Sequence, residues 1–200
     1  MAGGAEGEPA SRKDRTLLRL SPHTVLGGLR PAARTVGAGE AYRAVADGAT
    51  WLETAVAERA GDPLPVKVVR VPGSFLAGRP SAPARFLSGG ASLPTQRRPP
   101  VRERGTHGAP TLVQNVETLA HLALVARYGA DWYRTTALRP SSAARCARST
   151  RETLNPGSWR RAPYGLPLAR LLPLEGVRAV LVGGYQGTWV PAREAAQLTL

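Results

Sequence analysis

Apolar residues fall at two different periods along this chain, and the change of period marks its elements. Ser21-Pro22 is a helix start signal, with Ser at the cap and Pro in the first turn. Val25, Leu26, Leu29, Ala32 and Ala33 follow at helical spacing, and Gly37 and Gly39 end the run. Glu40–Ala46 reads as a short strand, and Asp47-Gly48 as a turn. Thr50 can cap a second helix carrying Leu52, Ala55, Val56 and Arg59, which Gly61-Asp62-Pro63 ends. Leu64–Val71 (LPVKVVRV) is the strongest strand signal, because Val66, Val68 and Val69 are β-branched. Strand, short helix and strand in this order predict a parallel βαβ unit, hence an α/β fold.

From Pro72 to Pro110 the chain is rich in Gly and Pro, and only Ala82–Leu87 can form a helical turn or two. The clearest helix follows. Asn115 is its candidate N-cap, Glu117 stands in its first turn, and Leu119, Leu122, Ala123 and Ala126 make an apolar stripe up to Gly129. Residues 1–18 are polar and without period, and are expected to be a disordered tail. Residues 135–158 are basic and Ser/Thr-rich, and are expected to be a linker or disordered insert. After them come a short Leu-rich helix within Pro163–Leu172, a buried-type strand at Val177–Val182 and a glycine loop at Gly183–Thr188. The absence of a closing signal at Leu200 reads as a domain cut short.

Composition narrows the chemistry. The 200 residues carry 27 Lys and Arg against 14 Asp and Glu, but Lys13 and Lys67 are the only lysines. An Arg bias with abundant Ala, Gly and Pro fits a GC-rich coding sequence and solvated surface charge. Nucleic-acid binding would call for Arg clustered on one element and for stacking aromatics, and the aromatics are only 6%. No apolar run reaches the ~20 residues that span a bilayer, so no membrane insertion is expected. The N-terminal stretch does not read as a secretory signal. Cys146 stands alone, and His23, His107 and His121 make no pair with ligand spacing, so neither a metal site nor an iron–sulfur cluster is expected in this chain. Gly183, Gly184 and Gly187 do not make a dinucleotide fingerprint and read as a tight turn.

Three segments carry a resemblance: Gly105–Arg134 (GTHGAPTLVQNVETLAHLALVARYGADWYR), Ser74–Ala82 (SFLAGRPSA) and Ala162–Pro191 with its G-G-Y-Q-G-T-W turn. In order and spacing they resemble the flavin-carrying subunit of respiratory complex I, the 51 kDa or F-type NADH dehydrogenase subunit. Similar subunits occur in NAD-reducing hydrogenases and formate dehydrogenases. The P-T-x-x-x-N-V-E-T-L segment is the most specific part. The resemblance implies a partial Rossmann-like FMN domain over residues 19–134 and a partial SLBB, or ubiquitin-like β-grasp, domain over 159–200. It implies FMN and NADH as cofactors, hydride transfer from NADH to FMN, and iron–sulfur redox subunits, including a 24 kDa-type one, as partners. The implied place is the cytoplasm, with any membrane association made through a complex.

The resemblance also implies the site residues. Gly78, Gln114, Asn115 and Thr118 are the expected cofactor-binding residues. The family's Asn-Asn pair reads Gln114-Asn115 here. An amide at a helix start, with backbone N–H groups behind it, suits a flavin carbonyl or a phosphate, and is compatible with capping. Where the family reads G-E-E-S/T-A, this chain has Gly78-Arg79-Pro80-Ser81-Ala82, so two acids are replaced. The family's glycine-rich FMN loop is not found upstream of Ser21, and its four-cysteine motif would lie beyond Leu200. The expectation is a chain inactive in NADH oxidation when alone, with no catalytic residue assigned. The alternatives are a non-catalytic remnant that packs in a redox complex, and a basic nucleic-acid binder.

Overall fold

The computed structural model describes residues 1–4, 6–7, 11–46, 50–95, 99–137, 144–148, 159–163, 166–183 and 187–199. They divide into two compact units: Met1–Pro9 with Asp14–Tyr128, and Ala10–Lys13 with Gly129–Leu200.

The first unit is built on a parallel sheet of four strands: β1 (Ala2–Gly4), β2 (Ala41–Ala46), β3 (Val66–Val71) and β4 (Gln114–Asn115), in the order β3-β2-β1-β4. The predicted βαβ unit is present. β2 and β3 run parallel from Ala41↔Val66 to Ala46↔Val71, and helix α3 (Thr50–Ala57) connects them. Helices α1 (Lys13–Leu20) and α2 (Pro22–Thr35) connect β1 to β2. Helix α4 (Ser81–Leu87) lies between β3 and β4, and α5 (Val116–Tyr128) follows β4 directly. One sheet face, with Ala2 and Val45, packs on Leu18, Val25, Leu26, Leu29, Leu52, Ala55, Val116 and Leu119. The other face packs Ala44 and Val71 on Ala77, with Val69 and Phe86 at the margin.

All five apolar positions read for α2 are buried. Ser21 stands at its N-cap with Pro22 in the first turn, yet the Ser21 hydroxyl makes no capping bond; its carbonyl accepts from Thr24 N–H at 3.2 Å. The helix ends as read: Gly37 has φ +61° and Ala38 N–H reaches back to Ala33 O at 2.9 Å. The α5 stripe lies a little round the helix from its sequence reading. Val116, Leu119 and Ala120 are buried, Leu122 is half-buried and Ala126 is exposed. Helices α2 and α5 meet backbone to backbone at Gly28, where an added Cβ would lie 1.8 Å from Leu119 O.

Two readings are corrected. Residues 1–18 are not a disordered tail where the structure describes them. Ala2–Gly4 is an inner strand paired with β2 and β4, and α1 begins at Lys13. A three-residue strand of Ala and Gly carries no periodicity of its own. It is defined by the ladders on both its edges. Likewise residues 135–158 are not wholly an insert. Ala144–Arg148 (β5) pairs antiparallel with Trp159–Pro163 (β6). Residues 138–143 and 149–158 lie outside the described residues.

The second unit continues with α6 (Ala130–Trp132), the β5–β6 ladder, α7 (Leu168–Leu171), the antiparallel pair β7 (Ala179–Val182) and β8 (Thr188–Pro191), and α8 (Ala192–Ala195). Leu168, Leu171 and Ala195 form its small core with Val180 and Val190 beside them. The β7–β8 connection requires glycine at two points. Gly183 has φ +94°, and a Cβ on Gly187 would lie 1.8 Å from Val182 O. No helix among the described residues is long and apolar enough to cross a membrane.

Candidate cofactor site

In an open parallel sheet, ligands bind outside the carboxyl ends of the strands, where the strand order reverses. Here the chain runs outward from β1 to β2 and β3, then returns to place β4 on the other side of β1. The reversal point is therefore the crevice between the carboxyl ends of β1 and β4. Three segments meet there: the segment after β1, the start of α5, and the turn after β3.

The segment after β1 is acidic and glycine-containing. The Glu6 carboxylate accepts from the backbone N–H groups of Asp14 (3.0 Å) and Arg15 (3.2 Å), so it caps the positive end of α1. Gly7 lies against the 3-10 turn Phe75–Gly78 so closely that a Cβ would sit 1.9 Å from Phe75 O and 3.3 Å from Gly78 N. The two segments form one backbone wall.

Asn115 ends β4 and begins the next element. Its Oδ1 accepts from Glu117 N–H at 2.8 Å, which is the capping role read from the sequence. Its Nδ2 donates to Asp14 Oδ2 at 2.9 Å. Both ends of the amide are thus engaged, and its O and N positions are set by their partners. Asn115 is exposed although Asp14 is only 4% exposed. Gln114 is half-buried within β4, paired in register with Ala2. Thr118 is exposed on the first turn of α5, and Gly78 is exposed at the end of the turn after β3. Arg79 and Pro80 follow it, both exposed.

Beneath the crevice lies Arg43, a residue that strand patterning does not single out. It is fully buried, and its Nη1 donates to Ala2 O at 2.7 Å. Its Nε and Nη2 have no partner among the described residues. Burial lowers its pKa well below the usual arginine range, to about 9, and the charge of Asp14 acts in the opposite direction.

The sequence profile of the Nuo51 FMN-binding domain matches residues 1–124, a span that contains every one of these features. The chain belongs to this family. The resemblance carried by P-T-x-x-x-N-V-E-T-L is thereby borne out, and so is the α/β fold class. An F-type NADH-quinone oxidoreductase protein (F 2) of Rhizobium meliloti (strain 1021) is 28% identical over 94% of this chain and 50% of its own length. The alpha chain of the NAD-reducing hydrogenase HoxS of Cupriavidus necator is 29% identical over 92% of this chain and 34% of its own length. A crystal structure of an NAD+-reducing nickel–iron hydrogenase in the air-oxidized state superimposes with a TM-score of 0.83 at 30% identity. The match covers 100% of this chain and 37% of the solved one. The chain thus spans half or less of the length of these relatives.

The family match starts at residue 1, so it takes in the segment that sequence reading set aside. A signal was available there: Glu6-Gly7-Glu8-Pro9 punctuates a loop, and Lys13-Asp14-Arg15 opens an apolar-periodic stretch with an acid in the first helical turn.

Proposed function

We propose that the first unit binds FMN at the β1/β4 crevice and that the chain works as the flavin-binding part of an NADH-oxidising subunit. The observation that carries this reading is the Asn115 amide, held at 2.9 and 2.8 Å at the strand-order reversal of a chain from an FMN-binding family. FMN fits the residues present. Asn115 and the start of α5 bring polar groups to one side, and the Gly7–Phe75 wall gives a close-packed backbone surface on the other. Gly78, Gln114, Asn115 and Thr118 would hold the cofactor. When bound, FMN supplies the capacity to accept a hydride and release electrons one at a time.

The chain's own residues bear on how well that chemistry runs. Asn115 would orient the flavin through its amide. Arg79 places a cation where the family usually carries a carboxylate, which favours an anionic group nearby. Pro80 removes a backbone donor at the next position. On these grounds NADH oxidation by the isolated chain is expected to stay far below the order of 10 per second typical of enzymes. NADH:ferricyanide reductase activity with added FMN measures this, and turnover at that level would refute it. The relatives are named as parts of larger enzymes, and we infer redox subunits, one of them an iron–sulfur protein, as this chain's partners.

The binding reading is tested by titrating FMN into the purified chain and following quenching of flavin fluorescence. Saturable binding is expected, with the Kd raised at least tenfold by Asn115→Ala, about 1.4 kcal/mol. No saturable binding to the wild-type chain would overturn the reading and favour a non-catalytic remnant.

A further inference from the structure

We propose that Arg43 is a positioning residue of the crevice: its buried guanidinium holds the Asp14 carboxylate, and Asp14 in turn fixes the amide of Asn115. Arg43 and Asp14 are the only two charged side chains buried among the described residues, and they are of opposite sign. They share one side of the sheet. Side chains alternate along β2, so Arg43 lies on the face of Ala41 and Val45, and Val45 belongs to the core beneath α1 and α2. On α1, Asp14 and Leu18 are buried four residues apart, hence on one helical face, and Leu18 belongs to that same core. The charge of Asp14 acts on Arg43, as the direction of its electrostatic effect shows.

The network runs in one line. Arg43 Nη1 is tied to Ala2 O on the inner strand β1, and Asp14 Oδ2 accepts from Asn115 Nδ2 at the end of β4. A buried carboxylate keeps its charge, and so keeps accepting, when an opposite charge offsets its desolvation. Arg43 supplies that charge from below, out of contact with solvent. A guanidinium with two nitrogens unpartnered among the described residues does not serve the core. Apolar side chains of similar size in place of both charges would fill the space without the desolvation cost. Retaining arginine there fits a role toward the site above it.

The consequence for cofactor binding rests on the flavin reading; the positioning of Asn115 does not. The test uses the full chain as wild type, Arg43→Leu, Arg43→Lys and Asp14→Asn. The first readout is the side-chain amide resonance pair of Asn115 by nitrogen-15 NMR without flavin, assigned by its loss in Asn115→Asp. We expect a displaced, well-resolved pair in the wild type. It should collapse toward the exposed-asparagine position in Arg43→Leu and Asp14→Asn, and be kept in Arg43→Lys. Arg43→Leu should melt below wild type, because the buried Asp14 carboxylate loses the charge that offsets its desolvation. The second readout is FMN Kd. It should rise about tenfold in Arg43→Leu and in Asp14→Asn, and no further in the double variant, because both act through Asn115. If Arg43→Leu does not fold, Arg43→Gln keeps a donor for Ala2 O and is read the same way. An unmoved Asn115 pair in folded Arg43→Leu overturns the proposal. A moved pair in a wild-type chain that binds no FMN sinks the flavin reading and leaves the positioning role standing.

Discussion

Replacing Gly28 by alanine is expected to lower the melting temperature of the chain by about 6–12 °C. In an exposed helix the change would stabilise by ~1 kcal/mol, because alanine is the better helix former. Here the new methyl would sit 1.8 Å from Leu119 O and 2.5 Å from its carbonyl carbon. Neither neighbour is the end of a flexible side chain, so α2 and α5 must separate. Those helices bury Val25, Leu26, Leu29, Val116 and Leu119 in one core, and separation loosens all of them. Overpacking of this kind costs about 3 kcal/mol, the upper end of the usual range. A chain of this size loses roughly 2–4 °C per kcal/mol. Gly27→Ala is the internal control. Its methyl would meet Ala123 Cβ at 3.7 Å, an ordinary contact, so its melting temperature should match or exceed wild type. Thermal unfolding followed by circular dichroism measures both. Equal melting of Gly28→Ala and wild type would show that the helices can part without loss.

Gly7→Ala is expected to weaken FMN binding at least tenfold while leaving most of the stability in place. The added Cβ would lie 1.9 Å from Phe75 O and 2.8 Å from its carbon, so the segment after β1 and the turn after β3 cannot both keep their positions. Both belong to the crevice, and the shift reaches Glu6, whose carboxylate caps α1 next to Asp14. The turn reaches the core only through Ala77, in the small cluster with Ala44 and Val71, while Phe75 and Gly78 are exposed. The stability loss should therefore stay near ~1 kcal/mol, the ordinary size for a loop substitution. Fluorescence titration with FMN beside a thermal melt separates the two effects. An unchanged Kd would mean that the Gly7–Phe75 wall does not form part of the flavin site.

The sequence alone was informative wherever a structural signal is local. The β2–α3–β3 unit, the five buried positions of α2, the left-handed Gly37 and the capping Asn115 could each be read from residues within a turn or two of one another. Their physical causes are short-range: alternation, helical period, positive φ and a side chain bonded two residues on. Asn115 and Gly78 are singled out by motif order alone; Asn115 lies at the carboxyl end of β4 and Gly78 at the end of the turn after β3. β5 was missed because Ala144–Arg148 (ARCAR) reads as a solvated basic stretch, and only its partner strand makes it a strand.

The decisive parts of the candidate site came from tertiary structure. Ala2–Gly4 has no pattern to read, because an inner strand of three small residues takes its identity from β2 and β4 on either side. Arg43 carries no local signal of burial, yet it is fully buried, on the same face of β2 as Val45 of the main core. The Asp14–Asn115 bond joins residues separated by 101 positions, beyond the reach of any local rule. Sequence could settle what each segment prefers by itself. Which buried charge faces which amide depends on how distant segments share one core and how much solvent they exclude from it.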